Sequence, residues 1–271
     1  MSIIKNIRNK SKKEILLRIE QFIFKPKIRL LKTIYFNFRA FKFKTAIKFP
    51  VLIYGKFSLG VLGKVIINNE NIKKGMIKFG TFDYKSQAPT RIRNLGTIIF
   101  NGPCFIWEGV LLELAPNSEL NIGENTILGE NVRIMLRKKC TIGKYGRIAF
   151  DTQIMDSDFH YMINLENNTI NNCTEEVIIG DYNWIGNKTT IKKGTRTPDF
   201  TIVAGPNTLL NKNYTEGSQY PILAGSPAKE IGNGRRRIYN FGWERQLKDH
   251  FNNNSTPYVF KGNQEDLFII K

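Results

Sequence analysis

Residues 178–212 read IIGDYNWIGNKTTIKKGTRTPDFTIVAGPNTLLNK, and a step of six decides how they fold. Starting at Ile179, the step lands on Ile185, Ile191, Thr197, Val203 and Leu209. Five of these six are aliphatic and the sixth is β-branched. Gly180, Gly186 and Ala204 follow three of them. The same rule runs from Ile122 through Leu128 to Ile134, with Gly123 and Gly129 next in line. It runs again from Ile142 through Ile148 to Ile154, with Gly143 and Ala149 following. A period of six is neither the 3.6 of a helix nor the 2 of an isolated strand. It is a short apolar strand followed by a tight turn that needs a small residue. Three such units close one coil of about 18 residues, and stacked coils share one aliphatic core.

The phase breaks predict where the regular coil is interrupted. Ile122 to Ile142 is one coil with two extra residues. Ile154 to Ile179 is one hexad with 19 extra, so a loop spanning 155–178 should project from the solenoid. Gly96–Phe100 and Val110–Leu114 look like earlier, less regular coils. These observations predict a mainly β, parallel β-helix domain over 51–232. Periodicity does not fix the hand, and the general crossover rule alone would favour a right-handed one.

Around this core the composition is that of a globular chain. Of 271 residues, 41% are hydrophobic, and 22 are Gly. Disordered and collagen-like classes are excluded, and no apolar run is long enough for an ordinary spanning helix. Cys104, Cys140 and Cys173 form a sparse, odd set without a CxxC pair, which argues against disulfides and structural zinc. The histidines are His160 and His250. With one His in the solenoid, a three-His zinc site of the γ-carbonic-anhydrase type is excluded, and no metal is expected.

The net charge is +18, and it is uneven. Residues 1–50 carry 14 Lys and Arg against Glu14 and Glu20. Within 13–38, apolar residues at Ile15, Leu16, Ile19, Phe22 and Ile23 alternate with charges at a helical period, and Pro26 divides the segment into two pieces. Three readings are open for it. It can lie on an anionic membrane, where each cation adds ~1 kcal/mol near the headgroups. It can meet nucleic-acid phosphates, or it can be a solvated helix packed on the domain. The charge lies outside the solenoid, which favours a tether over a nucleic-acid reading head. No small-residue cleavage site follows an uninterrupted apolar core, so a signal peptide is not expected. The expected location is cytoplasmic, with peripheral contact at the inner face of the membrane. A short helical tail, 233–271, should follow the solenoid.

The stretch 178–212, with ILAGSPAKEI at 222–231, resembles the hexapeptide-repeat acyltransferases over roughly residues 90–235. IMDSDFHYM (154–162) is similar to the aspartate-rich motif ending in a catalytic His in sugar O-acetyltransferases of that superfamily. The basic preamble TIYFNFRAFKFKTAIKFP (33–50) resembles that of bacterial surface-polysaccharide acetyltransferases. The resemblance implies a left-handed β-helix, a homotrimer, acetyl-CoA as co-substrate and a carbohydrate acceptor. It implies that His160 is the general base. Carried over by position, Trp184, Gly186, Asn187, Gly205, Lys212 and Lys229 would lie along CoA. Where some of these enzymes hold substrate with an Asn, this chain has Gly129, and Asn131 sits nearby in a different phase.

The chemistry of the residues agrees with that role. O-acetylation needs a base whose pKa lies near neutrality to take a hydroxyl proton. Asp156 or Asp158 is expected to orient His160 by accepting its Nδ1–H. His250 lies in a polar, helix-like stretch and is not expected to take part. Arg235, Arg236 and Arg237 would meet a CoA phosphate or an anionic glycan, or simply begin the C-terminal helix in solvent. Two further functions fit the sequence less well. An N-acyltransferase on an amino-sugar nucleotide often carries an N-terminal nucleotide-binding unit, for which the first 50 residues are too short. A non-enzymatic membrane-surface scaffold would have no use for the DSDFH loop.

Overall fold

The computed structural model describes residues 27–80 and 88–269. The basic stretch 13–26 lies outside the described residues. The chain winds into a parallel β-helix with three faces. The first face stacks Val51–Ile53, Ile77–Phe79, Cys104–Ile106, Thr126–Leu128, Arg147–Ile148, Trp184–Ile185, Ile202–Val203 and Ile222–Gly225. The second carries Leu111–Leu114, Arg133–Leu136, Gln153–Met155, Thr190–Ile191 and Leu209–Leu210, and the third Glu119–Ile122, Lys139–Ile142, Val177–Ile179 and Arg196–Thr197. In the lowest coils, the long strands Phe57–Ile67 and Thr90–Phe100 run through the corner between the second and third faces without a turn.

Register follows the aliphatic ladder. Leu128 pairs with Ile148, Ile148 with Ile185, and Ile185 with Val203. On the second face Ile134 pairs with Ile154, Ile154 with Ile191, and Ile191 with Leu210. On the third, Ile122 pairs with Ile142, Ile142 with Ile179, and Ile179 with Thr197. All of these residues are buried. Each stacks its β-branched or γ-branched side chain on its counterpart one layer away, roughly 4.8 Å along the axis. Truncating one of the isoleucines to Ala should cost about 2–5 kcal/mol.

One rung departs from the six-residue step. Leu210, not Leu209, is the buried partner of Ile191. The corner Gly205–Asn207 takes one residue more than the corner a coil earlier, which shifts the inward position by one.

Small residues at the corners are dictated by the close approach of neighbouring coils. A Cβ on Gly143 would lie 2.6 Å from the amide nitrogen of Asp181, in the next layer. Gly143→Ala therefore forces the two coils apart. We expect it to cost about 1–3 kcal/mol, seen as a lower thermal midpoint.

The lower end is closed by α1 (Leu30–Ala40) and the single turn α2 (Phe43–Ala46). Phe36 enters the core against Phe57 and Phe79, with ring centroids 6.3 and 5.8 Å away. The exposed edge of the first strand is satisfied by two side chains. Asn37 donates to the Val51 carbonyl at 2.8 Å and accepts from the Val51 N–H at 3.1 Å. Thr33 Oγ1 accepts from the Ile53 N–H at 3.1 Å. A helix thus replaces the missing strand and removes an edge on which another chain could pair.

At the other end, Ile222–Gly225 turns back into Ala228–Gly232 as an antiparallel hairpin. The tail then runs along the corner between the third and first faces. There Tyr145, Tyr182 and Phe200 stack at 4.7 and 4.8 Å, the layer spacing of the coils. Tyr239 donates to the Tyr182 carbonyl at 2.9 Å. The Arg236 guanidinium lies 3.8 Å from the Phe200 ring centroid and 3.5 Å from that of Phe268. Arg236 is thus an anchor for the tail, neither a solvated helix start nor a free anion ligand. A helix, α3 (Phe241–Asn253), follows, capped by Asn240, whose side chain accepts from Gly242 and Trp243 N–H.

Candidate active site

The insertion begins where the second face ends, at Met155, and rejoins the third face at Val177. Its base is a narrow neck. Asp158 N–H donates to the Cys173 carbonyl, and Glu175 N–H to the Asp156 carbonyl, both at 2.9 Å. Beyond the neck, Ile163–Asn164 and Thr169–Ile170 form a short antiparallel pair. His160 stands exposed just past the neck, after Phe159, whose backbone is in the left-handed region at φ 64°. The 25-residue interval in the sequence located this projection correctly.

The two aspartates do not orient His160. Asp156 is buried, and its carboxylate accepts the backbone N–H groups of Arg137 and Lys138, each at 2.7 Å, in the coil below. Burial pushes its carboxyl above the ordinary value, against the pull of those N–H donors. Asp158 reaches the coil above, with Lys192 Nζ at 2.9 Å and Lys193 Nζ at 2.8 Å. Those ammonium groups hold its carboxyl below the ordinary aspartate value. Among the described residues no hydrogen bond joins either carboxylate to His160. The expected orienting role is therefore corrected. Asp156 and Asp158 fix the neck to the coils on either side, and so fix where His160 stands.

The residues carried over for CoA divide between two corners. Gly186, Asn187 and Gly205 share the corner between the first and second faces, in adjacent layers. A Cβ on Gly186 would lie 2.6 Å from the Val203 carbonyl oxygen and 3.1 Å from the Gly205 nitrogen. Gly205 has φ 93°, and nothing would meet a Cβ there within 4 Å, so its backbone faces open space. Among the described residues, neither the Asn187 nor the Gly205 N–H donates to an acceptor. Lys229, in the closing hairpin, pairs with Ala224 one layer further along the same side. A groove of about 450 Å³ runs here, lined by Asp151, Gln153, Lys188, Thr190, Asn207 and Ser226.

Lys212 does not belong with them. It lies at the corner between the second and third faces, where its carbonyl accepts the Arg196 N–H at 3.2 Å and its ammonium lies 5.4 Å from the Tyr214 ring centroid. It follows the second-face strand Leu209–Leu210, whereas Gly186 and Gly205 follow first-face strands, so it belongs to the next corner of the coil. His160 projects from this same second-to-third corner. The base candidate and the groove of Gly186, Asn187 and Gly205 thus stand at different corners of one chain.

Trp184 lies outward on the first face, 42% exposed. It lines a mostly apolar cleft of about 430 Å³ with Trp107, Phe150, Arg147, Arg237 and Phe241. Burial lowers the Arg147 guanidinium to about 10, which still leaves it charged at neutral pH. One of its N–H groups donates to the Gly146 carbonyl at 3.0 Å. Arg237 lies 5.5 Å from the Trp184 ring centroid. Sequence reasoning singles out for function three residues of its lining, Gly129, Trp184 and Arg237, but not the cleft that they share with Trp107, Arg147, Phe150 and Phe241. The available signal was the outward position of the first-face strands, where Arg147 and Trp184 are paired.

No family model matches the chain. Over 87 residues, 32% of its length, it is 33% identical to a polysialic acid O-acetyltransferase of Neisseria meningitidis. That stretch spans 40% of the relative's own length. Among solved structures it is similar to the polysialic acid O-acetyltransferase OatWY, at 24% identity and a TM-score of 0.42 over 71% of this chain and 94% of that one. The polySia-specific acetyltransferase NeuO gives 19% identity and 0.43 over 75% and 98%. AntD, an N-acyltransferase from Bacillus cereus, gives 16% and 0.42 over 74% and 88%.

Proposed function

We propose that this chain is an acetyl-CoA-dependent O-acetyltransferase acting on a hydroxyl of a bacterial surface glycan, at a site completed by a second copy of itself. The observation that carries the reading is the presentation of His160. It is the solenoid's only histidine, held out by a loop whose two aspartates, Asp156 and Asp158, are locked to the coils below and above. The 33% identity with a polysialic acid O-acetyltransferase supports the reaction class. It also makes an acidic, sialic-acid-type polymer the first acceptor to try. The left-handed winding and the trimer that the family resemblance implies belong to the same reading.

The reaction needs no covalent acyl-enzyme. A His160 ring nitrogen takes the acceptor hydroxyl proton as the oxygen attacks the thioester carbonyl of acetyl-CoA. The carbonyl oxygen gains negative charge, for which the unused N–H groups of Asn187 and Gly205 are suitable donors. The C–S bond then breaks, the sugar keeps the acetyl group, and the imidazolium returns its proton to the CoA thiolate. CoA, as substrate, would run along the groove at the first-to-second corner, with Lys188 and Lys229 close enough in the stack to meet its phosphates. Because His160 is at another corner, the base must come from a neighbouring copy in a closed assembly. The aromatic cleft, with Arg147 and Arg237, suits a sugar ring carrying a carboxylate.

The test is CoA thiol release from acetyl-CoA with polysialic acid, other capsular polymers and lipopolysaccharide fractions as acceptors. The reading expects release that depends on one acceptor class, with O-acetyl groups appearing on that polymer. Absence of release with every acceptor, together with no CoA binding by calorimetry, would overturn it.

A further inference from the structure

The helix that closes the lower end of the solenoid has two apolar sides, and only one is used. Phe36 points into the core, and Thr33 and Asn37 seal the first strand. Leu30, Leu31, Ile34, Tyr35 and Phe38 recur at i, i+1, i+4, i+5 and i+8, which places them on a single stripe turned away from the protein. All five are exposed, Leu31 by 84%. Phe43, 71% exposed, and Ile47 continue the stripe beyond the helix, and the Phe43 ring lies 6.1 Å from that of Phe38.

The charges around the stripe have one sign. Lys27, Arg29, Lys32, Arg39, Lys42, Lys44 and Lys48 are all exposed. Between Glu20 and Glu70 the chain has no acidic residue. Two of the cations are tied back to the solenoid. Arg29 Nε donates to the Gly55 carbonyl at 3.0 Å, and Lys32 Nζ to that of Phe57. The remaining ammonium and guanidinium groups rim the apolar stripe. No described helix is long and apolar enough to cross a membrane.

We infer that the outer face of α1, with α2 beside it, is a docking surface for an anionic lipid bilayer, and that the solenoid stands on the membrane by this end. An apolar stripe with aromatic rings, rimmed by cations, matches both layers of such an interface: acyl chains below the headgroups and anionic phosphates around them. A second copy of the chain would bring a like-charged rim against this one. A nucleic acid would leave the apolar stripe without a partner. The inference is independent of the acyl-transfer reading. If both hold, the layer of Trp184 lies five strands above the first, about 24 Å from that end at ~4.8 Å per layer. The acceptor would then be a polymer rising from the surface.

The test is co-sedimentation of the full chain with vesicles of phosphatidylcholine alone and of phosphatidylcholine with phosphatidylglycerol, at low and high salt. The variants are Leu31→Glu, Tyr35→Glu and, as a control in the projecting loop, Leu165→Glu, 83% exposed. The expected result is binding to the anionic vesicles that weakens with salt and falls about tenfold or more in the first two variants, with Leu165→Glu unchanged. Lys42→Glu with Lys44→Glu spares the apolar stripe and should remove the preference for anionic vesicles, which keeps the test open if Leu31→Glu fails to fold. No binding to anionic vesicles would overturn the inference. Binding that Leu31→Glu and Tyr35→Glu leave intact would also overturn it, and would point to another surface. So would a change of oligomeric state, or a loss of duplex DNA binding, as the only effect of those variants.

Discussion

Replacing His160 by Ala should reduce acceptor-dependent acetyl transfer about 10²–10⁴-fold, the range usual for loss of a general base. The fold should not change. His160 is exposed, and no hydrogen bond ties its side chain to the described residues. Its removal should therefore leave the stability within the ±0.5 kcal/mol expected of a surface substitution. The kinetic signature should be a fall in kcat with little change in KM for acetyl-CoA, because the thioester binds at the corner of Asn187 and Gly205. A loss confined to KM would place His160 in binding instead.

Asp156→Ala should behave in the opposite way. The wild-type carboxylate accepts two backbone N–H bonds at 2.7 Å, between coils, from a fully buried position. Removing it leaves the N–H groups of Arg137 and Lys138 without acceptors and an empty volume between layers. Each lost charge-assisted bond is worth roughly 1.5–3 kcal/mol, so about 3–6 kcal/mol of stability should go. At about 2–4 °C per kcal/mol for a chain of this size, the midpoint should drop by roughly 6–24 °C. The loop would lose its lower anchor, so activity should fall with stability. Asp156→Asn is the informative companion. Its amide oxygen can still accept one of the two N–H groups, so it should recover part of the stability. A residue that oriented His160 would instead show lost turnover at unchanged stability.

The core was legible residue by residue. A step of six named Ile179, Ile185, Ile191, Thr197 and Val203, and each is a buried rung. The same arithmetic located the projecting loop, because a gap between two in-phase runs leaves chain with nowhere to go but outward. It failed at Leu209 because turn length is set by backbone geometry at Gly205–Asn207, which hydrophobic spacing does not record. Lys212 rests on the resemblance alone, and it stands at another corner because it follows a second-face strand, Leu209–Leu210, and not a first-face one. The aspartates of the loop were read by nearness in sequence to His160, yet their partners lie about one coil back, at Arg137 and Lys138, and on the coil above, at Lys192 and Lys193. In a solenoid, the residue that touches a side chain is commonly a coil away, and loop spacing alone does not say on which side. The end cap was hidden for a related reason. A helical period was visible, but which of two apolar sides faces the core depends on the edge of the first strand.

The central claim is that His160 of one copy serves the groove at Asn187 and Gly205 of another. Mixing two inactive variants, His160→Ala and Gly205→Val, tests it directly. The two proteins are unfolded and refolded together in equal amounts, and acetyl transfer is measured against each refolded alone. If the site spans two chains, random assembly in a closed ring gives an intact pair at about one quarter of the interfaces. Activity should return to about that fraction of wild type. Activity that stays at the level of the separate variants, in a mixture shown to contain mixed assemblies, would contradict the composite site.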